Sequence, residues 1–261
     1  MKKNTLKFII PFLILFPLAV YLIFSPVDTE NGPQEEEEFS CGREFIDERD
    51  DQVYKTVEIG GDCWMAENLR YDNSEELIYS PEREEWVEAA EEELPAYSVY
   101  LNDMENLSQY GYLYNWYGVD LLDLCPEGWS VPLEEDWQNL EKSLFHEENS
   151  CNERRLGNFG CFPAGAKIKT SYGEGITEDW NNPVFNCDGG NVYQCSGFDA
   201  LPSGGRYDSG TYFGLGSRAF FWTATQFEEK SLFRGLRSSS EGMLRNAFSP
   251  SIGMSIRCIL D

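Results

Sequence analysis

The segment CPEGWSVPLEEDWQNLEKSLFHEEN, Cys125 to Asn149, decides how the rest of this chain is read. Pro132 lacks a donor and carries a φ preset for the first helical turn, so a helix is expected to open there. Leu133, Trp137, Leu140 and Leu144 then recur at helical spacing, which gives one apolar face to pack on a core. Upstream, in DERDDQVYKTVEIGGDCWMAENL, Val53, Lys55, Val57 and Ile59 alternate with Tyr54, Thr56 and Glu58 before Gly60-Gly61. That period of two, ending at a glycine pair, predicts a β-hairpin. A second short helix is expected with Ser80 as its capping residue and Pro81 at its first helical position, and with Trp86, Ala89, Ala90 and Leu94 on one face. Beyond Phe159 glycines are dense, and AFFWTAT, LFRGLRSS and SIRCIL read as strands between turns. The expected fold class is α+β, with two or more helices early and an irregular antiparallel sheet with long loops after them. No repeat of 20 to 50 residues is evident, which argues against solenoids and propellers.

The front of the chain sets the compartment. FIIPFLILFPLAVYLIFSPV, Phe8 to Val27, carries no charge and has about the 20 residues that a membrane-spanning helix needs. Lys2, Lys3 and Lys7 precede it and acids follow, so the body of the protein is expected outside the cytoplasm. The division read from the sequence is a cytoplasmic basic end at 1–7, a transmembrane anchor or signal segment at 8–27, an acidic tether at 28–44 and one domain at 45–261. An uncleaved anchor is favoured because no small-residue cleavage site follows; secretion after signal cleavage is the alternative. The expected location is the cell envelope, with the domain in the periplasm or at the cell surface.

The formal charge is −26, from 46 acidic against 20 basic residues. Phosphate backbones are held by Lys and Arg, so nucleic acid is excluded as a partner. Of the acids, 26 lie between Asp28 and Glu105, a distribution that suits a solvated, self-repelling spacer. All eight cysteines, Cys41, Cys63, Cys125, Cys151, Cys161, Cys187, Cys195 and Cys258, follow the apolar segment. An even count in an oxidising compartment suggests disulfides. Their spacing lacks the close Cys or His pairs of zinc sites. Eight cysteines allow on the order of a hundred pairings; Cys151 with Cys161 and Cys187 with Cys195 would each close a short loop.

Motifs for catalysis are absent: there is no GxSxG, HExxH, P-loop or GxGxxG with its following acid. His146 is the single histidine and sits at the polar end of the expected helix, so no catalytic residue is assigned. Trp64, Trp116, Trp129, Trp137 and Trp222 read as core, given the area a tryptophan buries. Trp180 stands apart, in EDWNNP, where Asp179, Asn181 and Asn182 supply oxygens and Asp188 follows in a cysteine-bounded loop. Aromatic and oxygen-bearing side chains together suit a sugar, and oxygen-only ligands suit calcium. These five residues, Asp179, Trp180, Asn181, Asn182 and Asp188, are the candidate ligand site. No cofactor is expected apart from that calcium, and the metal is unassigned.

Seven blocks carry a resemblance: WMAENL (64–69), YGYLYNW (110–116), CPEGWSVPLEEDW (125–137), AGAKIKTS (164–171), GFDALPSGGRY (197–207), FGLGSRAFFWTAT (213–225) and IGMSIRCILD (252–261). In this order they resemble the Fibrobacter succinogenes major paralogous domain, over about residues 45 to 261. The resemblance implies an exported surface module with no established activity, and a C-type-lectin-like fold related to that of formylglycine-generating enzymes. It implies pairing of Cys125 with Cys258, which leaves Cys41 to Cys63 by elimination. The catalytic cysteine pair of those enzymes has no match here, and neither do the EPN or QPD triplets of sugar-binding lectins. Val99 and Leu107 stand where relatives carry cysteines, and Leu133 stands where they carry a capping Ser or Thr. The acidic stretch Glu75 to Glu93 looks like an insertion. The reading is a binding or adhesion module for a polysaccharide or another envelope protein. An enzyme with an acidic cleft and a purely structural scaffold are the alternatives, and the oligomeric state is unassigned.

Overall fold

The alternating stretch that ends at Gly60-Gly61 is a hairpin. In the computed structural model, which describes residues 39–72, 75–145, 151–170, 180 and 195–261, the chain begins with β1 (Glu44–Asp47), β2 (Gln52–Ile59) and β3 (Asp62–Met65). Gly60 and Gly61 turn the chain at φ +71° and +94°, a backbone region that side chains with a Cβ avoid. There follow β4 (Ile78–Tyr79), α1 (Arg83–Glu91), β5 (Ala96–Ser98), α2 (Glu105–Tyr110), β6 (Leu113–Tyr114), α3 (Trp116–Leu121), β7 (Trp129–Ser130) and α4 (Glu134–Leu144). The second half holds β8 (Asn158–Gly160), α5 (Ala164–Ile168), β9 (Ser203–Arg206), β10 (Tyr212–Leu215), β11 (Arg218–Phe227), β12 (Lys230–Arg237), β13 (Met243–Phe248) and β14 (Ile259–Leu260). The class is α+β, with short helices and mostly antiparallel sheets.

Three sheets form, in the orders β1-β2-β3-β14-β7, β10-β9-β11-β12-β13-β8 and β4-β5-β6. The final strand lies between the first hairpin and the CPEGW block, with Ile259 opposite both Trp64 and Ser130. This closure brings Cys125 beside Cys258, with Cα atoms 5.9 Å apart in a disulfide. Cys41–Cys63 and Cys151–Cys161 are bonded as well. Cys195 is also disulfide-bonded, and Cys187 lies outside the described residues.

The first sheet is covered on both faces. Tyr54, Met65, Trp129 and Cys258 pack on one side, and Ile59, Trp64 and Ile259 on the other, against Trp137 and Leu140 of α4. Trp64, Trp116, Trp129, Trp137 and Trp222 are all buried, as expected.

Two helix starts differ from the sequence reading. In α1 the first helical residue is Arg83, not Pro81, because the carbonyls of Ser80, Pro81 and Glu82 accept hydrogen bonds from Arg206. Leu94 lies beyond the end of this helix and is exposed. In α4, Leu133 precedes the first turn and is exposed, while the Asp136 carboxylate accepts its N–H at 2.7 Å. The apolar face is therefore Trp137 and Leu140, with Leu144 half-buried.

The compact unit runs from Phe39 to Asp261, and Phe39 packs its ring on Phe45 and Trp129. Among the described residues no helix is long and apolar enough to cross a membrane. The expected anchor at 8–27 lies outside those residues, as do the basic end 1–7 and the tether up to residue 38.

Candidate functional site

Of the five residues proposed from sequence to hold a ligand, the structure describes Trp180. It is buried, 5% exposed, and packs with Ile168, Phe198 and Ala200. Its indole N–H donates to the Ala200 carbonyl at 3.1 Å. The ring therefore joins the core like the other tryptophans and offers no open platform for a sugar. Asp179, Asn181, Asn182, Asp188 and His146 lie outside the described residues.

What the sequence reading missed is a set of buried charges. Glu134 and Glu141 lie seven residues apart on α4, so both face the inner side of β12 and β13. Arg234 donates to both Glu134 oxygens at 2.7 and 2.9 Å and to Glu141 at 3.0 Å. Arg155 adds two bonds to Glu141, at 2.6 and 3.0 Å, and Arg245 donates to Glu134 at 2.6 Å. Burial pushes the Glu134 carboxyl up, but the bonds from Arg234 and Arg245 outweigh it and hold the group below its usual range. Two carboxylates fully engaged by three guanidinium groups have no free lone pair aimed at a substrate, so this ladder is structural. The His, Cys, Asp and Glu side chains close enough to share an ion are, among the described residues, Glu141, Cys151 and Cys161. The two sulfurs are bonded to each other and Glu141 is held by arginines, so this trio is not a cation site.

Several hollows open on the surface. One of about 710 Å³ lies under the CPEGW block, where Arg49 is already engaged by Asp47 and by the carbonyls of Asp123 and Leu124. A recess of about 500 Å³ is lined by Asp50, Glu67, Asp72 and Arg70, which is the setting an acid-cleft enzyme would require. Each of its carboxylates accepts a hydrogen bond from within the protein: Glu67 from the Lys55 N–H at 2.8 Å, Asp72 from the Tyr112 hydroxyl at 3.2 Å and Asp50 from the Gln52 N–H at 3.1 Å.

A third hollow, about 250 Å³, lies on the outer face of the six-stranded sheet. Side chains alternate across strands, so Arg218 and Phe220 of β11, Phe233 and Arg237 of β12, and Leu244, Asn246 and Phe248 of β13 share this face. A line of rings runs along it: Tyr207 stacks on Phe213 at 4.0 Å, Phe213 meets Phe220 at 5.4 Å, Phe220 meets Phe233 at 5.8 Å, and Phe233 meets Phe248 at 4.7 Å. Phe220 and Phe233 are buried in the core, so the open wall is the exposed Tyr207 with the half-buried Phe213 and Phe248. Phe159 of β8 closes the far side beneath Arg237, whose guanidinium carbon lies 5.2 Å from the ring. Gly235 leaves the floor open, since a Cβ there would meet Phe220 at 3.3 Å and Leu244 at 3.2 Å. Among the described residues the side chains of Arg218, Arg237, Asn246 and Tyr207 make no hydrogen bond or ion pair, and no Asp or Glu lines the hollow. No carboxylate competes for the guanidinium groups of this hollow, whereas acids line the other two.

The pattern R-x-F-x-W, F-x-G-x-R and L-x-N-x-F along three strands is legible in the sequence at period two. Which face of those strands stays open is not, because that depends on where α4 packs.

The family model for the Fibrobacter succinogenes major domain matches residues 57–260 of the chain. No curated protein and no solved structure matches it.

Proposed function

Since the chain belongs to the Fibrobacter succinogenes major domain family, we propose that it is a membrane-anchored module of the cell envelope that binds polysaccharide rather than catalysing a reaction, through the aromatic groove on its six-stranded sheet. The observation that carries this reading is the groove itself. Tyr207 is exposed and Phe213 and Phe248 are half-buried, so these rings present apolar surface, and beside them stand guanidinium, amide and hydroxyl groups without a hydrogen-bond or ion-pair partner among the described residues. Saccharide sites combine these two elements, a surface for the C–H face of the ring and polar groups that fix orientation. The apolar segment 8–27 supports anchoring with the domain exported, and the disulfides fit an oxidising compartment. The closing of the C-terminal strand beside the Cys125–Cys258 bond supports the C-type-lectin-like fold that the resemblance implies.

The test is a glycan array probed with full-length protein in detergent, with and without calcium. Retention of a polysaccharide fragment is expected, weakened by roughly 3- to 10-fold in Tyr207→Ala, which removes one stacked ring. No retained glycan under either condition defeats the proposal. Retention that Tyr207→Ala leaves untouched and calcium removal abolishes moves the site to the loop around Asp179 and Asp188.

A further inference from the structure

The groove contains a juxtaposition that its walls alone do not explain. Arg218 and Arg237 are direct cross-strand partners in the register of β11 and β12. Opposed residues of this kind point to the same face with Cβ atoms about 5 Å apart, where like charges repel. In a chain with 46 acids, neither guanidinium has a carboxylate partner among the described residues. The arrangement is held in place from behind: the aliphatic stem of Arg218 runs over Gly214, where a Cβ would come within 3.2 Å of it. Gly214 has φ +82°, so a larger residue is disfavoured there by the backbone as well as by the stem.

We infer that Arg218 and Arg237 form an oxyanion clamp that selects a negatively charged sugar, one whose carboxylate or phosphate lies between the two guanidinium groups while its ring lies on the aromatic wall. This deepens the polysaccharide reading and rests on it. A guanidinium presents its N–H donors in a planar fork that matches such oxyanions, and an anion between two of them relieves their mutual repulsion. The rest of the surface makes the choice selective. Acids line the hollows around Asp123, Asp50 and Asp208, so an anionic polymer is repelled there and is accepted at this groove. At about 250 Å³ the hollow is smaller than the roughly 300–1,000 Å³ of sites for drug-sized ligands, which fits one sugar ring of a chain that continues outside.

The experiment is isothermal titration calorimetry on full-length protein in detergent with three probes: trigalacturonate, its fully methyl-esterified counterpart and a phosphorylated hexose. An anionic probe is expected to bind at least about tenfold tighter than the neutral ester, and added salt weakens that preference. Arg218→Met and Arg237→Met each reduce the preference to within about twofold while leaving the ester's affinity unchanged. Which anionic probe binds tighter identifies uronate or phosphate as the source. Arg218→Glu creates an ion pair with Arg237 and abolishes binding of the anion. Its thermal midpoint stays at or above that of the wild type, which separates loss of the clamp from loss of the fold. Equal or tighter binding of the ester overturns the clamp and leaves the polysaccharide reading standing. An anionic preference that survives both methionine variants also overturns the clamp. Failure of all three probes, together with an empty glycan array, overturns both.

Discussion

Glu141 carries more of this domain than any motif in its sequence. It is fully buried on α4 and accepts three hydrogen bonds from Arg155 and Arg234. Taking such charges out of water costs several kcal/mol each, and the geometry offsets this only while every partner is present. Glu141→Gln keeps the shape and removes the charge, which leaves buried Arg155 without its carboxylate partner and Arg234 with Glu134 alone. A loss of about 3–5 kcal/mol in urea-unfolding stability is expected; a loss under about 1 kcal/mol would show that the ladder is hydrated or rearranges. Arg257 follows a different rule. It is buried beside Phe198 and donates to Asn68 and to the carbonyls of Met65, Phe198 and Asp199, with no ion pair among the described residues. Burial lowers its pKa to about 9, yet the group stays charged at neutral pH. Backbone carbonyls here do the work that carboxylates do around Arg234.

At the scale of elements, Arg206 of β9 fixes the start of α1. Its guanidinium donates to the Ser80, Pro81 and Glu82 carbonyls and lies between the rings of Trp86 and Tyr212, at 4.7 and 4.6 Å. A highly acidic helix is thereby docked through one arginine instead of a broad apolar stripe, since Trp86 and Ala89 are its buried residues. In Arg206→Met the helix is expected to open locally: amide exchange across residues 83–91 speeds up by about tenfold or more while β11 and β12 keep their protection. Uniform acceleration across the domain would instead mean that Arg206 supports the global fold. The acidic insertion was visible in the sequence. Its attachment was not, because the partner lies more than a hundred residues away in GFDALPSGGRY.

For the whole molecule the titrating groups set a pH profile. Lys169 is buried, and desolvation lowers its pKa to about 7 although its Nζ donates to the Arg237 and Ser240 carbonyls at 2.7 Å. Between pH 7 and roughly 10 the unfolded chain binds the extra proton, so unfolding free energy rises with pH across that window. Burial raises Tyr97 to about 12 and pushes Tyr54, Tyr112 and Tyr114 up as well. Above about pH 10 the unfolded tyrosines ionise first, and stability falls. Chemical denaturation at a series of pH values checks both limbs: Lys169→Met should remove the rise between pH 7 and about 9, above which the lowered Arg257 also favours the folded state, and keep the alkaline fall. A wild-type profile flat from pH 7 to 10 would show that Lys169 is already solvated.

By itself the sequence determined the class of fold, the hairpin at Gly60-Gly61 and the five core tryptophans; it suggested the pairings Cys41–Cys63, Cys125–Cys258 and Cys151–Cys161, which the structure then selected from the many that eight cysteines allow. Local periodicity, turn chemistry and an ordered set of family blocks carry that information directly. Tertiary structure alone decided that Trp180 faces inward, that Leu133 and Leu94 face outward, and that Arg218 stands beside Arg237 with no carboxylate partner for either among the described residues. These outcomes depend on which strands become neighbours and which sheet face a helix covers. That is settled by contacts between residues far apart in the chain, and periodicity within one segment does not encode it.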